Sequence, residues 1–215
     1  MKKDQHSNTS KHKSDGDRLL RKETITSNVY FDALKTSMTA INAALYVVFG
    51  GFTNLGIVVY GVRFWPAVIV PAVFAVLFGP LVGGLGAAIG IFIADVVYGH
   101  GNALLSVIVG VPANFIAFYI IGYVQRKFSW RKYFFLAIAG LAAGSIYIGI
   151  GLWAFSHFFI SFLGSNWGIV LGLSAALWTF VSEIPFLIIV VPIVVKACHQ
   201  AFPELLSGNS DIEAG

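Results

Sequence analysis

Two carboxylates stand nearly alone in long apolar stretches. From Thr36 to Val124 the only charged residues are Arg63 and Asp95, and from Tyr133 to Val195 the only one is Glu183. A charge at membrane depth costs at least roughly 2.5–3.5 kcal/mol on insertion scales, so such a side chain faces a cavity or a partner instead of lipid. Asp95 closes a glycine-rich segment and shares a helical face with Gly84 and Ala88, which directs it into a packed interior. Glu183 lies two residues before Pro185, whose ring removes a backbone hydrogen bond and can bare a carbonyl beside the acid. Each acid also has a plainer reading, as a structural carboxylate held by a helix end or an internal hydroxyl.

Four further residues can join the acids around a ligand. Arg63, followed by Phe64 and Trp65 at a helix start, is either an interfacial anchor or a ligand contact. His100 and Asn102 fall in the turn Tyr98-Gly99-His100-Gly101-Asn102, just past Asp95. Asn114 is an amide in an apolar helix, bonding either a neighbouring helix or a ligand. His157 and Trp167 rank lower, as groups of another loop. The chain holds no Walker glycine loop, HExxH pair, GxSxG elbow or glutamate pair, so an enzyme is not expected and ATP cannot be its own power source. Polar groups and aromatics in an apolar bundle suit capture of a small molecule over its conversion. No cofactor is implied. No metal site is expected either, and the single Cys198 rules out an intrachain disulfide or thiolate cluster.

The elements that carry these residues are membrane helices. Of 215 residues, 57% are apolar and 11% charged, against about 25% charged in soluble domains. That much apolar surface calls for a lipid solvent. A spanning helix needs about 20 apolar residues, and turn signals divide the chain into six: 35–54, a shorter 66–79 ended by Phe78-Gly79-Pro80, 81–98, 103–124, one that follows the basic stretch 125–132 and runs to 156, and 167–195. The segment Thr53 to Trp65 reads as a loop. The expected fold is therefore an all-α, six-transmembrane-helix bundle over 31–197. A disordered polar tail (1–30) precedes it and a short tail (198–215) follows.

Charge orients the bundle. Eight Lys and Arg residues lie in 1–35, four more are Arg126, Lys127, Arg131 and Lys132, and Lys196 closes the last apolar run, which leaves Arg63 alone elsewhere. With N- and C-termini cytoplasmic, 13 of the 14 cations fall on the cytoplasmic side, as the positive-inside rule requires. The same placement explains the net charge of +4 without nucleic acid as a partner.

The run from Arg63-Phe64-Trp65-Pro66 through Leu77-Phe78-Gly79-Pro80, the glycine-rich helix ending in Asp95, Tyr98-Gly99-His100-Gly101-Asn102 and Val111-Pro112-Ala113-Asn114 resembles the substrate-binding S components of energy-coupling factor (ECF) transporters. The alanine pair of the first helix and the proline-containing sixth fit the same pattern over 33–197. The resemblance implies a cell-membrane protein that captures a vitamin or similar micronutrient, energised by a transmembrane T component and cytoplasmic ATPases. It maps T-component docking onto Ala40 and Ala44. Metal-importing relatives carry a histidine-rich extreme N-terminus, a pattern that His6 and His12 do not reproduce. Two acids and several aromatics suit a flat heterocycle with hydrogen-bond donors, such as a pyrimidine, a purine-like or a thiamine-like nutrient. Two other classes stay open: a self-sufficient proton-coupled secondary transporter using Asp95 or Glu183 as relay, and a membrane scaffold without ligand.

Overall fold

A computed structural model describes residues 32–126, 128–160 and 168–202. The tail expected at 1–30, residues 203–215 of the tail expected at 198–215, Trp167, and most of the loop after His157 lie outside them, while 198–201 continue the last helix. The chain divides into two units, Met1–Ser37 and Met38–Gly215. In the first, residues 32–37 are helical, and the hydroxyls of Thr36 and Ser37 donate to the carbonyls of Asp32 and Ala33 one turn back.

The second unit opens with α1 (38–53). A small hairpin follows, β1 (Val58–Val59) antiparallel to β2 (Val62–Arg63), then α2 (Pro66–Phe78) and α3 (Pro80–Val97). The remaining helices are α4 (Ala103–Gln125), α5 (Trp130–Phe158) and α6 (Ile169–Ala201). Among the described residues α3, α4, α5 and α6 are long and apolar enough to cross a membrane, and α2 is a shorter apolar helix. Large apolar side chains such as Ile41, Leu45, Val170, Leu173 and Leu177 lie exposed on the outer faces of these helices, a surface that only lipid covers at low cost.

Three local signals shape the chain differently from the expectation. The stretch read as a plain loop contains the hairpin, so the fold is not strictly all-α: Tyr60 and Gly61 both take positive φ (53° and 78°), the two-residue turn whose twist suits paired strands, and β-branched valines flank it. The basic stretch ending at Lys132 is shorter than expected, because Ser129 caps α5 by accepting the Lys132 N–H at 3.2 Å and so starts the helix at Trp130. Pro185 does not break α6. The helix passes through it and widens into a π-turn at Phe186–Val190. By contrast, the turn at Phe78-Gly79-Pro80 forms where it was read, with Gly79 at φ 92° and Pro80 opening α3. Gln125 secures it by donating to the Leu77 carbonyl at 3.0 Å.

Prolines inside α4 and α6 leave carbonyls that a helix cannot satisfy. Pro112 has no N–H to give Ile108, and the Tyr147 hydroxyl donates to the Ile108 carbonyl from α5 at 3.2 Å. Pro192 likewise follows the π-turn, and the Tyr133 hydroxyl donates to the Leu187 carbonyl at 2.6 Å. Both tyrosines belong to α5, which is thus fastened to both neighbours at their irregular turns. Small residues bring these helices close: a Cβ on Gly140 would lie 2.6 Å from the Ala117 carbonyl, and one on Gly144 2.9 Å from that of Ala113.

Candidate binding site

The last turn of α3 builds the polar centre. Asp95 lies near the carboxyl end of that helix, where the helix dipole disfavours an anion, so its carboxylate needs other support. Arg63 supplies it: Nη2 donates to Asp95 Oδ1 at 2.5 Å, with both side chains largely buried (12% and 9% exposed). The other carboxylate oxygen accepts from the Ser106 hydroxyl at 2.7 Å. His100 Nε2 stands 3.7 Å from the same oxygen.

Local backbone explains why these groups meet. The Asp95 carbonyl accepts from the Gly99 and Gly101 N–H groups at 3.2 and 3.1 Å, so the residue that carries the site carboxylate also ends α3 and folds His100 back beside it. Gly101, at φ 64°, permits that reversal. Ser106 reaches Asp95 from the π-turn Ser106–Gly110 of α4. A Cβ on Gly110 would lie 2.9 Å from Asp95 Oδ2, so a side chain there would push into the carboxylate. Arg63 comes from the end of β2, and the hairpin is tied down by the Phe64 N–H donating to the Ile57 carbonyl at 2.9 Å and by the edge-on packing of Phe64 against Phe186 of α6.

Around this centre lies a cavity of about 100 Å³ lined by Arg63, Asp95, His100, Asn114 and Glu183, together with Tyr46 and Trp65. The Arg63 guanidinium rests 4.3 Å from the centre of the Trp65 ring, a cation–π contact. Tyr46 packs edge-on to Trp65 and donates to Asn114 Oδ1 at 2.9 Å, while Asn114 Nδ2 donates to the Gly110 carbonyl at 3.0 Å. Glu183 is buried and also lines this cavity, and among the described residues no cation or hydrogen-bond donor meets its carboxylate. A second hollow of about 20 Å³ shares Glu183, Asn114 and Ile148 and adds Ser145 and Thr179. Its size suits one water molecule, and the buried Ser145 hydroxyl has no partner there among the described residues.

Five of the six residues expected at a site therefore line one cavity. Asn102 does not line it: its side chain accepts the Leu105 N–H at 3.1 Å and caps α4. The cavity also takes Tyr46, and its carboxylate takes Ser106, neither of which sequence reasoning singled out. Tyr46 had a signal, since it falls one helical turn after Asn42 and both are fully buried. Ser106 had none, because its role depends on the π-turn. Ala40 and Ala44 are exposed on α1, whereas Asn42, Ala43 and Tyr46 face inward. His157, ranked lower, stacks on Trp153 with ring centroids 6.1 Å apart. Among the described residues no three His, Cys, Asp or Glu side chains converge as a metal site would need.

The arrangement brings aromatic rings, a cation and two carboxylates together in a largely apolar chamber. The family model described as ECF-type riboflavin transporter, S component, matches residues 31–199. No curated protein and no solved structure matches the chain.

Proposed function

The chain belongs to the S-component family of ECF-type riboflavin transporters, multi-pass cell-membrane proteins of vitamin uptake, and we propose from this that it captures riboflavin in the cavity between Arg63, Asp95 and Glu183. The observation that carries the proposal is the largely buried Arg63–Asp95 pair, with Arg63 lying on Trp65, in one cavity with Glu183. An isoalloxazine is flat, with carbonyl acceptors that suit a guanidinium and an imide N–H that suits a carboxylate. It stacks well on indole.

The cavity of about 100 Å³ is well short of the roughly 300–1,000 Å³ usual for small-molecule sites. Arg63 occupies the face of Trp65 that a flavin would cover. Capture therefore has the ligand ring take over that face while Arg63, carried by the short hairpin, moves aside and keeps its charge near Asp95. On this reading the chain has six spans with both termini cytoplasmic and performs no chemistry on the ligand. It relies on a T component, docked at Ala40 and Ala44, and on ATPases for uptake. The exposure of these two alanines beside Ile41 and Leu45 supports that docking face.

The test is a fluorescence titration of riboflavin with the purified full chain. Saturable quenching at about one flavin per chain is expected, with loss of affinity in Asp95→Asn and Glu183→Gln. Absence of saturable quenching by the folded wild type rejects the reading. A buried carboxylate without a cation also suits a proton-coupled carrier. Gradient-driven riboflavin uptake into vesicles holding this chain alone would favour that mechanism over dependence on partners.

A further inference from the structure

A groove of about 950 Å³ lies between the start of α5 and the end of α6, far along both helices from the cavity residues Ile148 and Glu183. Because α5 and α6 are consecutive membrane-crossing helices, the beginning of one and the end of the other share a membrane face. The groove has two kinds of wall. Trp130, Phe134, Pro192 and Ile193 make it apolar over most of its length, while Ser129, Lys196 and His199 gather at one end.

The order of these residues matches a molecule with a tail and a head. Ile193, Lys196 and His199 are spaced three apart, so they lie along one side of α6. At 1.5 Å per residue they climb about 9 Å from the apolar to the polar part. The polar end is made for an anion. It offers the Lys196 ammonium and a His199 ring N–H, Trp130 brings an indole N–H to the same lining, and among the described residues no carboxylate lines the groove. Lys196 and His199 form no ion pair among the described residues, and Arg131 and Lys132 add positive potential at the same end of α5. The walls are held in place rather than left to close on each other, because the Tyr133 hydroxyl joins α5 to the Leu187 carbonyl that precedes Pro192, and Trp130 is wedged between Phe128 and Phe134 (ring centroids 5.0 and 6.5 Å).

We propose that this groove is a binding site for one anionic phospholipid, its phosphate held by Lys196, His199 and Trp130 and an acyl chain laid along Ile193, Pro192 and Phe134. Interfacial tryptophan and lysine are the groups that meet headgroups at a bilayer surface. Basic pockets between helices on the face that bears the cations bind acidic headgroups for the same electrostatic reason. The site is independent of the vitamin cavity.

The test is native mass spectrometry of the purified full chain, delipidated and titrated with phosphatidylglycerol or with phosphatidylcholine of matched acyl chains. One phosphatidylglycerol adduct, retained at least fivefold over phosphatidylcholine, is expected. Lys196→Gln with His199→Gln should abolish the preference, and Ile193→Trp should block the adduct by filling the groove. Should these variants fail to fold, a photoactivatable phosphatidylglycerol on the wild type gives the second measurement, with crosslinks expected on peptides containing Trp130 and Ile193. Equal retention of the two lipids, an adduct unchanged in the folded variants, or crosslinks confined to other helices overturns the proposal. So does an adduct that forms only after residues 203–215 are removed, which would assign the groove to the chain's own tail.

Discussion

The guanidinium of Arg63 binds the carboxylate of Asp95 across 32 residues of sequence, with N and O at 2.5 Å and both side chains largely shielded from solvent. Breaking such a pair by removing one partner leaves a buried charge uncompensated, at a cost of about 3–5 kcal/mol. Asp95→Leu and Arg63→Met are each expected to lower the unfolding temperature clearly. The double variant should recover most of that loss, since an apolar pair of similar volume avoids desolvation. It should still fail to bind riboflavin. Thermal unfolding and flavin titration on the same three proteins check the pattern, and a double variant that binds as the wild type does would remove the pair from the site.

Among the described residues Glu183 has no cation beside it, so its replacement by an isosteric amide should spare the fold and strike the ligand. A hydrogen bond to a charged group contributes about 1.5–3 kcal/mol. Glu183→Gln is therefore expected to weaken riboflavin binding roughly ten- to hundredfold with little change in unfolding temperature. Unchanged affinity would place the ligand elsewhere.

Gly110 admits the Asp95 carboxylate because it has no side chain, and a Cβ there would come within 2.9 Å of Oδ2. Overpacking of this kind costs typically about 1–3 kcal/mol. Gly110→Ala should lower stability and shift Asp95 off Ser106 and Arg63, with weaker flavin binding as the readout. Ser106→Ala, which removes the second support at 2.7 Å without adding bulk, should weaken binding less.

Tyr133→Phe separates structure from function. It removes the hydroxyl that donates to the Leu187 carbonyl and leaves that buried acceptor unmet, a loss of about 1–3 kcal/mol. Flavin affinity should stay within error, because Tyr133 lies at the far end of α5 from Ile148 and Leu152, the α5 residues that line the cavity. Chemical denaturation and titration run in parallel test both halves.

Membrane residence was legible because the preference of a segment for lipid adds up residue by residue over a local window. For this reason α3 and α4 fall close to where turn signals put them. The turns at Gly79-Pro80 and Gly99-His100-Gly101 were equally legible, since positive φ and a missing N–H are local properties of Gly and Pro. The isolation of Asp95 and Glu183 in apolar sequence also pointed to a cavity or partner, whereas Arg63 read equally as an interfacial anchor or a ligand contact; all three line one cavity.

Which polar groups meet was settled only in three dimensions. The reach of Arg63 to Asp95 depends on a two-residue turn that aims β2 at the end of α3. Ser106 reaches the same carboxylate because a π-turn widens α4, and Asn102, adjacent to His100 but one, is spent on capping a helix. None of these follows from spacing at 100° per residue, since each depends on how separate segments register against one another. The amino-acid sequence alone determined a membrane protein with scarce, costly charges that must face inward. The tertiary structure decided that Arg63 answers Asp95 while Glu183 finds no partner among the described residues, because pairing energy in a low-dielectric interior falls to whichever groups the packed backbones bring within hydrogen-bonding distance.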